Sequence, residues 1–505
     1  MSEEHLRVPT NLEQQHKLAK DLLRDARGGD PAALARVRSV RSDAGVSRPL
    51  QLADAQLAIA REAGFDSWPM LVEQLQQRDV RAFRDAVSRG EVDTVTRLLG
   101  LPHVREQVNA PMFEFGQRAA HIAAQREPML EALIAAGADL TLMSEWENGP
   151  YTVLDNATEQ TARFLLSRGA KLTPNVAARL GWIDELGQLL AADPGLVDTR
   201  GGDGQQPLHE AATVAIADLL IDRGADVNVR CIDHKSTPAQ YALAKRPEVC
   251  RRLLERGADA DIFMPARLGD VALAVRVLDA DPQAIAARIN EPGYASVPPF
   301  HIYCWTLGFG LSPHDVALKF GHRDVYDLLV GHSPARVHFI NRVMAGDEAG
   351  ARAFIEQDPS LLTSLTRGDH SRLAHAIFDG RRDAARLMLR LGFDEAAGGV
   401  DGGTGLHAAC WMGDVEMVEA ILRRGRVPLE SRDPVHLSTP LGWAAFGSVH
   451  RRASGGDYPA VVDRLVAAGA DVNAPGNGEP LSLIAMAEGN PEVQATLRRH
   501  GARRS

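Results

Sequence analysis

The sequence predicts an all-α fold, a helical-repeat solenoid, and three observations predict it. Gly-Ala-Asp recurs at Gly137-Ala138-Asp139, Gly224-Ala225-Asp226, Gly257-Ala258-Asp259 and Gly469-Ala470-Asp471, each time closing a Leu-rich amphipathic stretch. Variants stand at Gly169-Ala170-Lys171, Gly392-Phe393-Asp394 and Gly501-Ala502-Arg503. Neighbouring glycines lie 32 or 33 residues apart: 137 to 169, 224 to 257, 392 to 425, 469 to 501. That period marks units that bury a core only by stacking on their neighbours. A second kind of unit alternates with the first, at Ala178 to Val197, Ala266 to Ile285 and Ala345 to Leu362, with Arg84 to Leu101 a weaker copy. Each joins a small-residue helix, a Gly turn and an apolar helix. The three full copies end on Asp193-Pro194, Asp281-Pro282 and Asp358-Pro359, where the proline stops the helix. The two kinds together give a super-period of roughly 80–90 residues and about thirteen units.

Residues 1–78 are expected to form an N-terminal helical capping segment. Leu12 to Val37 has the pattern of a charged amphipathic helix, broken near Gly28-Gly29 and restarted at Pro31. Leu52 to Ala63 is a second helix ended by Gly64. Ser67 caps a third, with Trp68, Leu71, Val72 and Leu75 on one side. Such a segment covers the apolar end of a stack, or alternatively offers a separate helix to a binding partner. Residues 79–505 are expected to hold the repeat array, interrupted by a long insertion at 289–313.

The clearest unit runs from Thr404 to Gly425. Gly405-Leu406-His407-Ala408-Ala409 opens a helix of small residues, and Gly413 breaks it by tolerating a left-handed turn. Asp414 caps the next helix, whose Val418, Ile421 and Leu422 form one apolar stripe. Arg423 and Arg424 suit a helix C-terminus, and Gly425 ends it.

This helix–turn–helix plus loop resembles an ankyrin repeat. Gln206-Pro207-Leu208-His209, Thr237-Pro238-Ala239-Gln240 and Thr439-Pro440-Leu441-Gly442 resemble the family's Thr-Pro-Leu-His opening. Asp226-Val227-Asn228 and Asp471-Val472-Asn473 resemble its closing hairpin entry, and Gly321-His322 its inter-helix Gly-His. The resemblance covers roughly residues 80 to 501 and implies an ankyrin-type solenoid with short β-hairpin fingers. Many finger loops here are longer than the family's, and several helices are shortened. Gly64-Phe65-Asp66-Ser67-Trp68-Pro69 resembles a segment found ahead of ankyrin repeats in many bacterial proteins. The resemblance also implies that His121, His209 and His407 are structural, bridging loops by hydrogen bonds.

Composition removes several function classes. The formal net charge is −10, with no basic run long enough for a phosphate-binding stripe, so no nucleic-acid partner is expected. Cys231, Cys250, Cys304 and Cys410 form no Cys-x-x-Cys pair, which argues against a zinc site; they have the look of reduced thiols in a cytoplasmic protein. No metal or cofactor is expected. Met1 to Thr10 has no apolar run, which argues against a signal peptide. No stretch of 18 apolar residues occurs, so no membrane partner is expected.

The family places its finger loops and first helices along a concave face, so candidate chemistry is sought there. The chain is 5% aromatic, yet the insertion holds Tyr294, Phe300, Tyr303, Trp305 and Phe309. Alternation from His301 to Trp305 predicts a strand with His301, Tyr303 and Trp305 on one face. That face suits a ligand wall, or alternatively a minicore folded onto the adjacent repeats. Three other fingers carry polar clusters: Phe113 with Glu114, Glu145 with Trp146, and Asp233-His234-Lys235. Carboxylates flanked by aromatic rings can serve as acid or base. Trp411 and Trp443 lie on first helices, as groove platforms or as packing. His436 is expected to be solvated.

Two function classes remain open. The first is a scaffold whose concave groove binds a protein or a small-molecule ligand. The second is implied by the rare recruitment of the ankyrin fold as a ring-forming enzyme of bacterial polyketide biosynthesis. Such a cyclase or dehydratase, needing no cofactor, would dehydrate a β-hydroxy carbonyl and add a carbon nucleophile to the enone. His301, Tyr303, Glu114, Glu145, Asp233 and His234 are its candidate acid–base groups, and Phe113, Trp146, Trp305 and Trp411 its candidate ligand-binding residues.

Overall fold

The computed structural model describes residues 11–40, 49–289, 294, 300–451, 455–477 and 481–503. The chain divides into two compact units, Met1–Val176 and Ala177–Ser505. Both are helical, and no strand occurs among the described residues.

In the first unit, helices Leu12–Arg27, Pro31–Arg38, Leu52–Glu62 and Trp68–Arg89 enclose a small core of Ala19, Leu22, Val37, Ala58, Ile59, Leu71 and Leu75. Asn11, Asp30 and Ser67 cap three of these helices through their side chains. The helix Trp68–Arg89 runs unbroken through residue 78. It packs on Leu52–Glu62 and also on the repeat helices Val92–Leu99 and Ala119–Ile122, so one element serves both assemblies.

In the second unit the stacking is direct. First helices Arg367–Phe378, Gly405–Met412, Pro440–His450 and Leu483–Met486 pack in succession, as do second helices Val415–Leu422, Tyr458–Ala467 and Pro491–Arg499. Leu406, Val418, Ile421, Leu441, Val461, Leu465 and Leu497 fill the core between them.

The recurrent tripeptide has a local physical cause. Gly137, Gly224, Gly257 and Gly469 all adopt φ between 98° and 106°, the left-handed helix stop that glycine reaches without strain. The following alanine N–H then reaches back five residues: Ala138 to Leu133, Ala225 to Leu220, Ala258 to Leu253 and Ala470 to Leu465, at 2.9–3.0 Å. The Asp carboxylates of Asp226 and Asp471 accept from the N–H of Asn228 and Asn473. Those asparagines couple consecutive repeats. Asn228 donates to Gly257 O and accepts from Asp259 N, and Asn473 does the same with Gly501 O and Arg503 N. In the first unit Asn109 links to Gly137 and Asp139 identically.

The Asp-Pro pairs do more than stop helices. Asp193, Asp281 and Asp358 each end one helix and cap a following 3₁₀ turn, accepting from Gly195, Gln283 and Ser360 N. The fingers differ from the expected β-hairpins. One backbone hydrogen bond closes each, Ser144 N to Tyr151 O, Cys231 N to Ser236 O and Asp433 N to Ser438 O, and side-chain bonds from Tyr151 N to Ser144 Oγ and Ser438 N to Asp433 Oδ2 return across two of them. Left-handed residues such as Lys235 and Leu437 interrupt any ladder. No helix among the described residues is long and apolar enough to cross a membrane.

Candidate functional site

The three structural histidines form one repeated device. Nδ1 accepts from the backbone N–H three residues earlier (Arg118, Gln206, Thr404), and Nε2 meets the carbonyl of Tyr151, Ser236 or Ser438 in the next finger. A carbonyl only accepts, so the proton sits on Nε2 and the ring is neutral. Burial pushes His121, His209 and His407 each down to about 4.

In the first unit, Glu114 is exposed in a short 3₁₀ turn that also contains Phe115 at φ 57°. Phe113 precedes that turn, half-buried. The Arg118 guanidinium pairs with Glu145 at 2.9 Å, and Glu145 is 59% exposed. Trp146 packs edge-on against Phe115, with ring centres 4.9 Å apart. These fingers gather an aromatic pair and two exposed carboxylates.

In the second unit, the insertion is pinched at its neck by Ile289 N to Leu311 O and Gly310 N to Ile289 O. The strand expected over His301 to Trp305 does not form. Tyr303–Thr306 is a helical turn, so alternate residues do not share a face. His301 and Tyr303 are buried, whereas Trp305 is 58% exposed and packs on Phe300 and Phe309. The Tyr303 hydroxyl donates to Asp261 Oδ2 at 2.8 Å, and burial raises both groups. His301 Nδ1 accepts from Tyr303 N, and burial pushes its ring to about 3. Tyr294, His301, Tyr303 and Phe263 pack ring against ring, which is the minicore alternative. His234 belongs to the same neighbourhood. Its Nδ1 lies 2.8 Å from Phe300 O and 3.5 Å from Asp233 Oδ2. Asp203, Asp233 and His234 bring side-chain ligand atoms within 4.8 Å of one another.

The described residue that best combines platform and space is Trp411. Aromatic rings from three successive first helices converge beside it: Phe378, Trp411, and Trp443 with Phe446 one turn on. Trp411 stacks on Phe378 at 6.4 Å and 10°, and stands 6.0 Å from Trp443 and 6.2 Å from Phe446. Together with Met486 they line a cleft of ≈160 Å³. A cavity of about 150 Å³ lined by apolar side chains accommodates a benzene ring. Gly403 makes room for the indole, since a Cβ there would lie 2.9 Å from Trp443 Cη2. The buried Asp433 carboxylate orients the same indole, accepting from Trp443 Nε1 at 2.9 Å and from the N–H of Val435 and Ser438.

His436 and Asp401 form the polar edge of this cleft. His436 is not merely solvated, as its sequence position led us to expect. Its Nε2 stands 3.2 Å from Asp401 Oδ2, and the hydrogen bond to that carboxylate raises its pKa. Asp401 and Leu437, the residue after His436, both hold φ near +52°, an uncommon backbone for side chains of their kind. Such conformations persist where the surroundings impose them, and they cluster at ligand sites. An apolar wall beside a histidine–carboxylate pair can hold a small molecule and move a proton. Asp401, His436 and Phe378 were not selected from the sequence. The available signal was the parallel between Asp203 with His234 and Asp401 with His436, each an Asp-Gly finger followed by a fingertip histidine, 31 and 35 residues apart.

Comparison with known proteins agrees with the repeat geometry. Residues 175–264 match a family model described as ankyrin repeats in three copies, and residues 401–434 match the single ankyrin repeat. The chain is similar to Protein PhlB of Serratia liquefaciens, with 31% identity over 118 residues. That match covers 23% of this chain and about half, 49%, of PhlB. The left-handed helix stops, the asparagine couplings and the histidine bridges recur through the matched segments and beyond them, and the chain is an ankyrin-repeat protein.

Proposed function

We propose that the second unit binds a small, flat, largely apolar molecule in the cleft walled by Phe378, Trp411, Trp443 and Phe446. One observation carries this reading: four rings from three consecutive repeats meet around one space, in a chain only 5% aromatic. Stacking on such walls supplies affinity, while few polar groups set orientation. Ethylbenzene is a suitable probe, titrated against tryptophan fluorescence. We expect saturable quenching, and weakening of at least about threefold in Phe446→Ala, a change at a half-exposed side chain that leaves the fold intact. An absence of saturation, or a variant that binds as well as the native chain, would sink this reading.

The His436–Asp401 pair favours a second reading, the cofactor-independent cyclase. His436, made more basic by Asp401, would remove the α-proton of a β-hydroxy ketone held against the rings. The imidazolium so formed would return that proton to the departing hydroxyl, releasing water and leaving an enone open to carbon addition. The test is formation of benzylideneacetone from its β-hydroxy ketone precursor, followed by its ultraviolet absorption. His436→Ala should abolish turnover while ethylbenzene still binds. Equal rates in the two proteins would remove the catalytic reading and leave the binding one.

A further inference from the structure

The finger pair beside the cleft has an internal counterpart in the same unit, and the two differ in what covers them. Asp203 and Asp401 occupy matching places, at φ 56° and 52°, each before a left-handed glycine. His234 and His436 each precede a residue in the left-handed region, Lys235 at φ 50° and Leu437 at φ 53°. Ser236 and Ser438 offer their carbonyls to His209 and His407 at 3.1 and 3.2 Å. Tyr241 and Trp443 each set a ring 5.3 Å from that bridging histidine. The fingertip histidines then stand 6.1 and 6.5 Å from those rings. His234 and His436 are thus one position in two copies of a single local fold.

In the first copy the chain itself supplies an occupant. The insertion lays Phe300 over the fingertip, and His234 Nδ1–H donates to the Phe300 carbonyl at 2.8 Å. Ile302 N then donates to Ser236 Oγ at 3.2 Å. In the second copy no segment among the described residues does this. Ser438 Oγ turns instead to the Gly476 carbonyl, and His436 Nδ1 makes no hydrogen bond among the described residues. The His436 side chain is 55% exposed and lines the aromatic cleft.

We infer that the ligand of the cleft carries a carbonyl oxygen that accepts a hydrogen bond from His436 Nδ1, as the Phe300 carbonyl does from His234. This rests on the small-molecule reading of the cleft and names the ligand class: an aryl ketone or acyl compound, ring against Trp443 and carbonyl toward the fingertip. The protonation state matters. Asp401 holds a proton on Nε2, so Nδ1 donates when the ring is an imidazolium and accepts when it is neutral. The charged groups facing His436 are Asp401 from the Val400–Gly402 turn and Asp433 from its own finger; the Pro440–His450 helix presents the uncharged Trp443 ring. Both carboxylates favour the imidazolium. The preference for a carbonyl is therefore greatest at low pH and fades as pH rises through the titration of His436.

Acetophenone and ethylbenzene test this, since they share ring and size and differ in the oxygen. Full-length protein is titrated with each by tryptophan fluorescence, native and His436→Leu, at pH values either side of the His436 titration. We expect acetophenone to bind about tenfold tighter than ethylbenzene in the native protein at the lower pH. We expect that gap to shrink at the higher pH and to close in His436→Leu, with acetophenone losing more affinity than ethylbenzene. Equal binding of the two probes in the native protein, or a gap that survives in His436→Leu, overturns the inference and leaves the cleft reading standing. Failure of both probes to bind overturns the two together.

Discussion

At the scale of single residues, histidines of one chemical type have opposite roles here, and enclosure separates them. His407 is fully buried between two backbone groups, so its removal leaves the Thr404 N–H without its acceptor and takes from the Ser438 carbonyl one of its two donors, Asp433 N–H being the other. Buried groups left unpaired in this way cost about 1–3 kcal/mol each. We predict that His407→Ala loses about 2–4 kcal/mol in urea unfolding, whereas His436→Ala stays within about 0.5 kcal/mol of the native protein. Equal losses would show that the exposed His436 ring also holds its finger together. His301 belongs with His407: it is 5% exposed and packed among Tyr294 and Tyr303, so replacing it alters stability before it alters any site.

At the scale of elements, the Val415–Leu422 helix shows how finely a stripe must be phased. Asp414 caps it through Met417 N, as its sequence implies. Met417, Val418 and Ile421 are buried, while Leu422 is only partly covered at the edge of the core. A full large-to-small cost of about 2–5 kcal/mol therefore belongs to Ile421→Ala. Leu422→Ala should cost less, because part of its side chain already meets water. Thermal or urea unfolding of the two variants checks the order; a larger loss at Leu422 would mean that the helix is rotated. The insertion departs from its sequence pattern too. His301 to Trp305 alternates in sequence, but Tyr303–Thr306 closes as a helical turn, with the Tyr303 hydroxyl bonded to the Asp261 carboxylate.

At the scale of the whole molecule, buried neutral histidines set the acid limit of the fold. Burial pushes His121, His209, His314 and His407 to about 4 and His301 and His375 to about 3. In the unfolded chain a histidine titrates near 6.5. Between these values the unfolded chain binds more protons than the native one, so stability falls as pH drops. The stabilisation is complete above about pH 6.5 and declines steadily toward about pH 4. We predict a urea midpoint that is flat from pH 7 to 8 and falls steeply from pH 6.5 to 4. A midpoint unchanged over that lower range would mean that these rings are hydrated in solution.

The sequence alone determined the class of fold, since its signals are local. A glycine that must be left-handed, an alanine that reaches back five residues and an asparagine that couples to the next loop act within one or two repeats, so they leave a period. The structural histidines were legible for the same reason. The site was legible only in part. Trp411 was recognisable as a ring on a first helix, but Asp401, His436, Phe378 and Phe446 lie up to 68 residues apart along the chain and meet only when the repeats stack. Whether a fingertip histidine is capped by the chain or left facing a cleft depends on where the insertion lays Phe300, a long-range contact that no local pattern encodes. Burial decided the rest. The same side chain becomes a neutral brace or a ring open to solvent according to how closely its neighbours enclose it.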